Sequence, residues 1–111
     1  MVFTHKIESY NIKIISNYAE GGGYQMGYVY LYGENSKYLG CLGIIKNDKA
    51  LPKNKLKADK TFSVYFHESG LQTILNTFKQ QNPIFIQFDS RSLLASLMVG
   101  KYEENGNDIA A

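Results

Sequence analysis

The stretch YQMGYVYLYG, residues 24 to 33, contains four tyrosines, and all of them fall at even-numbered positions. Side chains two residues apart lie on the same face of a β-strand, so a strand here places the whole set on one side. The residues of this shared parity are Tyr24, Met26, Tyr28, Tyr30 and Tyr32. A strand face with so many aromatic side chains is expected to be part of a protein core, a subunit contact or a stacking platform for a ligand.

The next apolar stretch, YLGCLGII, predicts the second arm of a hairpin. Between the arms, GENSK supplies turn residues, and we centre the turn on Asn35 and Ser36. The predicted register pairs Tyr32 with Leu39, Tyr30 with Cys41 and Tyr28 with Gly43. Both faces of this hairpin are apolar, so either it curls over the core or its tyrosine side meets another chain.

Alternation and helical spacing predict the remaining elements. ESYNIKII, TFSVYFH and PIFIQFD alternate as half-buried strands do. ESGLQTILNTFKQQ has a single apolar stripe at helical spacing, with Ser69 as a candidate N-cap. LLASLMV fits a strand or a short helix, and the turn-like DSRS before it favours a strand. The glycine triplet 21–23 fits a turn better than a phosphate-binding loop, because it leads into a strand.

The resulting order is β-β-β-β-α-β-β. It predicts an α+β fold, with a five- or six-stranded, largely antiparallel sheet and one helix packed on one face. The covered side would carry three apolar sets, Tyr10/Ile12/Ile14, Phe62/Val64/Phe66 and Ile84/Ile86/Phe88. The opposite side is polar but includes aromatic residues, among them Tyr65 and Phe85.

With 111 residues, 44% of them hydrophobic and 20% charged, the chain fits one globular domain. We expect that domain over residues 1–102, with a loose N-terminal segment around His5 and a disordered tail at 103–111. No apolar run approaches the roughly 20 residues of a membrane helix, and no signal peptide is evident. We therefore expect a cytoplasmic protein without membrane contact.

The net charge of +2 is unevenly distributed. Residues 46–60 carry six lysines against two aspartates, and this segment predicts a long exposed loop. It serves either as a solvated loop or as a track for a nucleic-acid backbone, with Lys49, Lys53, Lys55 and Lys57 as phosphate contacts. The order of elements is similar to that of the single-stranded-DNA-binding coactivator and Whirly folds, a resemblance that implies no site residue. A single arginine, Arg91, counts against strong nucleic-acid binding.

Catalytic and metal chemistry have little support in the sequence. If TFSVYFH and PIFIQFD pair, His67 and Asp89 lie near each other, with Ser69, Ser90 or Ser92 as hydroxyl candidates. No motif of a known hydrolase accompanies them. Two histidines and the lone Cys41 do not make a zinc site, and no cofactor is implied.

The sequence therefore predicts a small non-catalytic binding or assembly module, homodimeric through an aromatic sheet face. Its interface or ligand-face candidates are Tyr28, Tyr30, Tyr32, Tyr65 and Phe85. The first alternative is a single-stranded nucleic-acid binding protein that uses the lysine loop and tyrosine stacking. The second alternative is a small enzyme that uses His67 and Asp89.

Overall fold

The computed structural model describes residues 1–15, 25–79 and 83–100. Single-turn 3-10 segments occupy Glu34–Ser36 and Glu68–Gly70. The predicted tail at 103–111, the glycine triplet and Tyr24 lie outside the described residues. The described elements are β1 (Val2–Ile7), β2 (Ser9–Ile14), β3 (Gln25–Tyr32), β4 (Tyr38–Ile45), β5 (Lys55–Leu56), β6 (Phe62–His67), α1 (Leu71–Phe78), β7 (Ile84–Asp89) and β8 (Ala95–Val99).

The strands form two sheets, a three-stranded one in the order β1-β7-β8 and a five-stranded one in the order β2-β3-β4-β6-β5. The pair β4–β6 is parallel, and the other pairs are antiparallel. The α+β class is confirmed, but the prediction of a single sheet is wrong. Alternation shows which residues share a face, yet it does not show which neighbour a strand takes. Glu8 alone separates β1 from β2, and there the chain crosses from one sheet to the other.

The core lies between the inner faces of the two sheets and α1. Phe62 of β6 stacks on Phe88 of β7, with ring centroids 6.0 Å apart, and so joins the sheets. The apolar stripe of α1 contributes Ile74 and Phe78 to the same core. The inner faces of the sheets supply the other buried side chains, which include Val29, Leu31, Leu42, Ile44, Val64, Ile84 and Ile86.

Gly40 of β4 lets Phe62 approach the backbone closely. Its φ of +154° is a conformation that side chains rarely adopt. A methyl group at this position would overlap the carbonyl oxygen of Phe62 and lie 2.6 Å from its ring carbon Cδ1. The packing of Phe62 between the two sheets therefore requires glycine at position 40.

The predicted inner set on β2 is only partly buried. Tyr10 packs on Phe78 of the helix, with ring centroids 4.7 Å apart. Ile12 and Ile14 are 40% and 68% exposed, so their predicted place in the core is wrong. They lie on an edge strand, and the helix covers only the end of that strand nearest Tyr10.

The N-terminal segment is a strand, so the prediction that it is loose is wrong. β1 pairs with β7 from Val2 opposite Asp89 to Ile7 opposite Ile84. The carbonyl of Met1 also accepts a hydrogen bond from the Ser90 amide at 2.9 Å. The polar residues of VFTHKI conceal its alternation, and its partner is more than 75 residues away in sequence. The predicted order of elements accordingly lacked β1, and it also lacked the short β5.

The predicted helix and the predicted last strand are confirmed, but the predicted helix cap is wrong. α1 forms where the apolar stripe predicted a helix, and β8 confirms a strand within residues 93–99. Ser69 does not cap the helix, which begins at Leu71 after a 3-10 turn without a side-chain cap. The Ser69 amide instead donates to Oδ1 of Asn47, 3.0 Å away. This contact links the helix entrance to the start of the lysine-rich segment.

Candidate binding face

The outward side of the five-stranded sheet gathers five tyrosines, which we call the tyrosine face. In the β3–β4 ladder, Tyr30 lies opposite Cys41 and Tyr28 lies opposite Gly43, as predicted. Tyr32, however, lies opposite Tyr38, because the register shifts between Leu31 and Tyr32. The predicted pairing with Leu39 is therefore wrong. The members of the tyrosine face are Tyr28, Tyr30, Tyr32, Tyr38 and Tyr65.

Tyr38 is the member that the sequence did not reveal. By simple alternation it belongs with Gly40 and Leu42 on the inner side of β4. The register shift lies between the pairs Leu31–Gly40 and Tyr32–Tyr38, with Leu39 as the extra residue on β4, and it brings the Tyr38 ring next to Tyr30 and Tyr32 instead. The available signal in the sequence was Gly40, which lies beside the shift, because a glycine inside a strand often marks a bulge.

Four of the rings form a continuous aromatic layer. The rings of Tyr28 and Tyr30 are stacked, 5.6 Å apart and 13° from parallel. Tyr38 then bridges Tyr30, at 6.5 Å, and Tyr32, at 5.7 Å. All four are half-buried, and Cys41 and Gly43 lie opposite two of them on β4. The rings fix one another, so little side-chain freedom remains to be lost when a partner contacts them.

Tyr65 extends the face across the parallel pair β4–β6. It lies opposite Gly43, as Tyr28 does from the other side, and Ser63 lies opposite Cys41. The Cys41 sulfur and the Ser63 hydroxyl oxygen are 3.8 Å apart. Phe85 does not share this face, because β7 belongs to the three-stranded sheet, where Phe85 lies opposite Lys6 and Met98.

The tyrosine face is electrically neutral at its centre and basic at its margins. Burial, and secondarily the neighbouring Cys41, raises the pKa of Tyr38 well above its ordinary value, so its hydroxyl stays protonated. Lys13 on β2 lies opposite Tyr28, and Lys55 on β5 lies opposite Ser63. The sequences of the five strands of this sheet contain no Asp or Glu.

The lysine-rich segment runs partly as an ordered edge of this sheet. Its side chains alternate from residue 52 to 57, with Pro52, Asn54 and Leu56 half-buried and the lysines between them exposed. Asn54 holds it in place, since its Oδ1 accepts from the Tyr65 amide at 3.0 Å and its Nδ2 donates to the Leu93 carbonyl at 2.8 Å. We call the exposed set the lysine row: Lys53, Lys55 and Lys57.

Lys49 lies apart from the lysine row. Its carbonyl contacts Nε2 of His67 at 2.8 Å, near the end of β6. The prediction of a long exposed loop therefore holds for much of residues 46–60 but missed the strand β5. The two hydrogen bonds of the Asn54 side chain could not be predicted from the sequence, because their partners are 11 and 39 residues away.

The His67–Asp89 pair required β6 beside β7, and that pairing is wrong. His67 lies opposite Ile45 in the five-stranded sheet, while Asp89 lies opposite Val2 in the other sheet. Asp89 accepts a hydrogen bond from the Arg91 amide at 2.9 Å, and this bond holds its pKa below the usual range. Each residue thus makes a separate contact at the end of its own strand. Within the described ranges, no group of three or more His, Cys, Asp or Glu residues could hold a metal ion.

A second surface feature is an apolar groove between β2, β3 and α1. It has a volume of about 180 Å³, and its walls include Ile12, Ile14, Met26, Ile44 and Leu71. Glu68 and Lys13 also line it. The two exposed isoleucines of β2 form one wall, so the groove continues to the free edge of the five-stranded sheet.

No protein-family model, curated protein or solved structure matches this chain. In the part of the chain that the structure describes, the helical segments are too short and too polar to cross a bilayer.

Proposed function

We propose that the chain is a small non-catalytic binding and assembly module that forms a homodimer through the tyrosine face. The continuous layer of four half-buried rings carries this proposal. Tyrosine is enriched at protein interfaces, because its ring provides contact area while its hydroxyl tolerates water before association. A neutral centre with lysines at two separate margins suits contact between identical surfaces, since like charges stay away from the middle.

The test replaces Tyr30, the ring that contacts both Tyr28 and Tyr38. Sedimentation velocity should show that Tyr30→Asp halves the mass of the native assembly, measured in multiples of the 12.6 kDa chain. A buried, unpaired carboxylate on each side of the contact opposes association. Thr73→Asp, on the exposed side of α1, adds the same charge elsewhere and should leave the mass unchanged. An unchanged mass for a folded Tyr30→Asp variant rules out this interface.

A second candidate function is the binding of single-stranded nucleic acid, and the lysine row favours it. Alternate residues of an extended segment are about 6.7 Å apart, a repeat that suits successive phosphates of an extended strand. The row borders the sheet whose outer side carries the tyrosines, so phosphates along the row would leave bases within reach of the rings. Stacking on tyrosine is tolerant of base sequence.

This candidate is tested by fluorescence anisotropy with an oligothymidylate at several salt concentrations. Binding should weaken steeply with salt, because each lysine–phosphate contact releases counterions. The triple variant Lys53→Glu, Lys55→Glu, Lys57→Glu should abolish it. The matched control changes three exposed lysines elsewhere, Lys6, Lys46 and Lys79, to glutamate. If the two triple variants lose oligonucleotide binding equally, net charge alone explains the loss, and the lysine row is ruled out as a specific binding site.

A further inference from the structure

We infer that the free edge of β2 is a second assembly surface, where β2 of another copy of this chain pairs with it in an antiparallel register centred on Ile12. Among residues 1–15, 25–79 and 83–100, β2 ends the order of the five-stranded sheet and has a ladder with β3 alone. This inference goes beyond the proposed function and does not depend on contact through the tyrosine face.

The hydrogen-bonding pattern of β2 identifies its outward backbone groups. The Ile15 amide donates to the Met26 carbonyl at 2.9 Å, which marks Ile15 as a residue bonded to β3. In an antiparallel ladder such residues alternate with residues that point away. Lys13, Asn11 and Ser9 therefore bond to β3. The outward N–H and C=O groups belong to Tyr10, Ile12 and Ile14.

The same three residues share the inner side of the strand. Ile12 and Ile14 are 40% and 68% exposed there, and they form one wall of the apolar groove. Edge strands are commonly protected by proline, a bulge or inward-pointing charges. From Ser9 to Ile14, β2 contains no proline, its register with β3 is unbroken, and its inner side carries no charge. Directly before it, the Glu8 amide departs from the alternation and donates to the Tyr32 carbonyl at 2.8 Å.

The side chains of β2 are self-complementary about Ile12, because a pair centred there joins apolar residues on one side and opposes no like charges on the other, and this favours a second copy as the occupant. In an antiparallel pair centred there, Ile12 faces Ile12 of the second copy, and Tyr10 faces Ile14 of the second copy at both ends. Three pairs of the hydrogen-bonded type form about six backbone bonds. On the other side of the strands, Lys13 faces Asn11 of the second copy, so no two lysines are opposed.

Other registers are worse on the same criteria. A shift by one residue places the isoleucines opposite the polar side of the second strand. A shift that centres the pair on Lys13 opposes the two lysines, and it leaves Tyr10 without a partner inside β2. A shift that centres the pair on Asn11 leaves Ile14 without such a partner.

Pairing of this kind joins two five-stranded sheets into one of ten strands. The two-fold axis is perpendicular to the sheet, so both tyrosine faces lie on the same side of it. If the tyrosine faces also pair, the assembly contains four chains. The two contacts are separable, because Tyr30→Asp affects one and a change at β2 affects the other.

A cysteine at the centre of the register tests the inference directly. Opposed residues of a hydrogen-bonded antiparallel pair have Cα atoms about 5.5 Å apart, within the range that a disulfide spans. In a Cys41→Ser background, Ile12→Cys should form a disulfide-linked dimer under mild oxidation. Ile14→Cys is the matched control. In the proposed register its copies lie four residues out of step, so it should link at least ten-fold more slowly.

Rapid linkage by Ile12→Cys alone supports the register. Equal rates for the two variants, or no linkage by a folded Ile12→Cys variant, overturn it. Ile14→Lys provides a second measurement that does not depend on oxidation, and its site is exposed enough to accept the change without unfolding. In a Tyr30→Asp background, Ile14→Lys should reduce the sedimenting mass from two chains to one. A mass of two chains in the double variant would also contradict the inference.

Discussion

Replacing Gly40 with alanine should cost the protein a large part of its stability. The φ of +154° imposes backbone strain of about 1–3 kcal/mol on any side chain there. The added methyl group must also displace the Phe62 ring, at 2.6 Å, and overfilling of this kind costs about 1–3 kcal/mol. The sum of about 2–6 kcal/mol compares with about 5–15 kcal/mol for the unfolding of a typical domain.

Urea denaturation followed by far-ultraviolet circular dichroism measures this loss as a lower midpoint. Gly70→Ala is the control, because Gly70 has helical φ and ψ of −87° and −9° and open space around its Cβ position. It should stabilise the protein by about 0.4–1 kcal/mol, since alanine restricts the unfolded chain. If Gly40→Ala loses less than about 1 kcal/mol, the close approach of Phe62 to the β4 backbone does not govern the packing of the two sheets.

Two further predictions concern the side chains of Asn54 and His5. Asn54→Ala should destabilise the protein by about 2–4 kcal/mol in urea, because both hydrogen bonds of the side chain are lost, whereas the exposed Asn76→Ala should change it by less than about 0.5 kcal/mol. Burial, and secondarily Lys37, lowers the pKa of His5 below its ordinary value of 6.5. The unfolded chain therefore binds the extra proton first, and stability should fall as the pH drops from 7.5 to 5.5. His5→Gln should reduce this dependence, and an undiminished slope would show that other groups cause it.

Local periodicity in the sequence correctly predicted the helix and the shared face of the β3 tyrosines. The helical spacing of Ile74 and Phe78 located α1, and alternation placed Tyr28 and Tyr30 on one side of β3. These features depend on residues close together in sequence, so short-range patterns report them. The register of Tyr30 opposite Cys41 followed from the length of the turn.

The features that sequence reasoning missed depend on long-range partners or on small backbone shifts. Nothing in VFTHKI shows that β1 pairs with β7, and that pairing divides the strands into two sheets. One register shift in the β3–β4 ladder, at Leu39, places Tyr38 on the tyrosine face. Asn54 gains its role only when residues 65 and 93 come near it. The candidate face was thus predictable in outline, and its bridging ring and its ordered lysine row were not.

The pairing of β1 with β7 also determines when the fold can be completed during synthesis. Val2 pairs with Asp89, and the carbonyl of Met1 accepts a bond from Ser90, so β1 must wait for residues that are synthesised more than 75 positions later. Contacts between such distant residues slow folding, because a long loop must close before they form. Until then Ile7 and the inner side of β1 lack their partners. A nascent chain arrested before residue 84 should therefore remain sensitive to protease within β1, and one extended beyond residue 100 and clear of the exit tunnel should resist cleavage there.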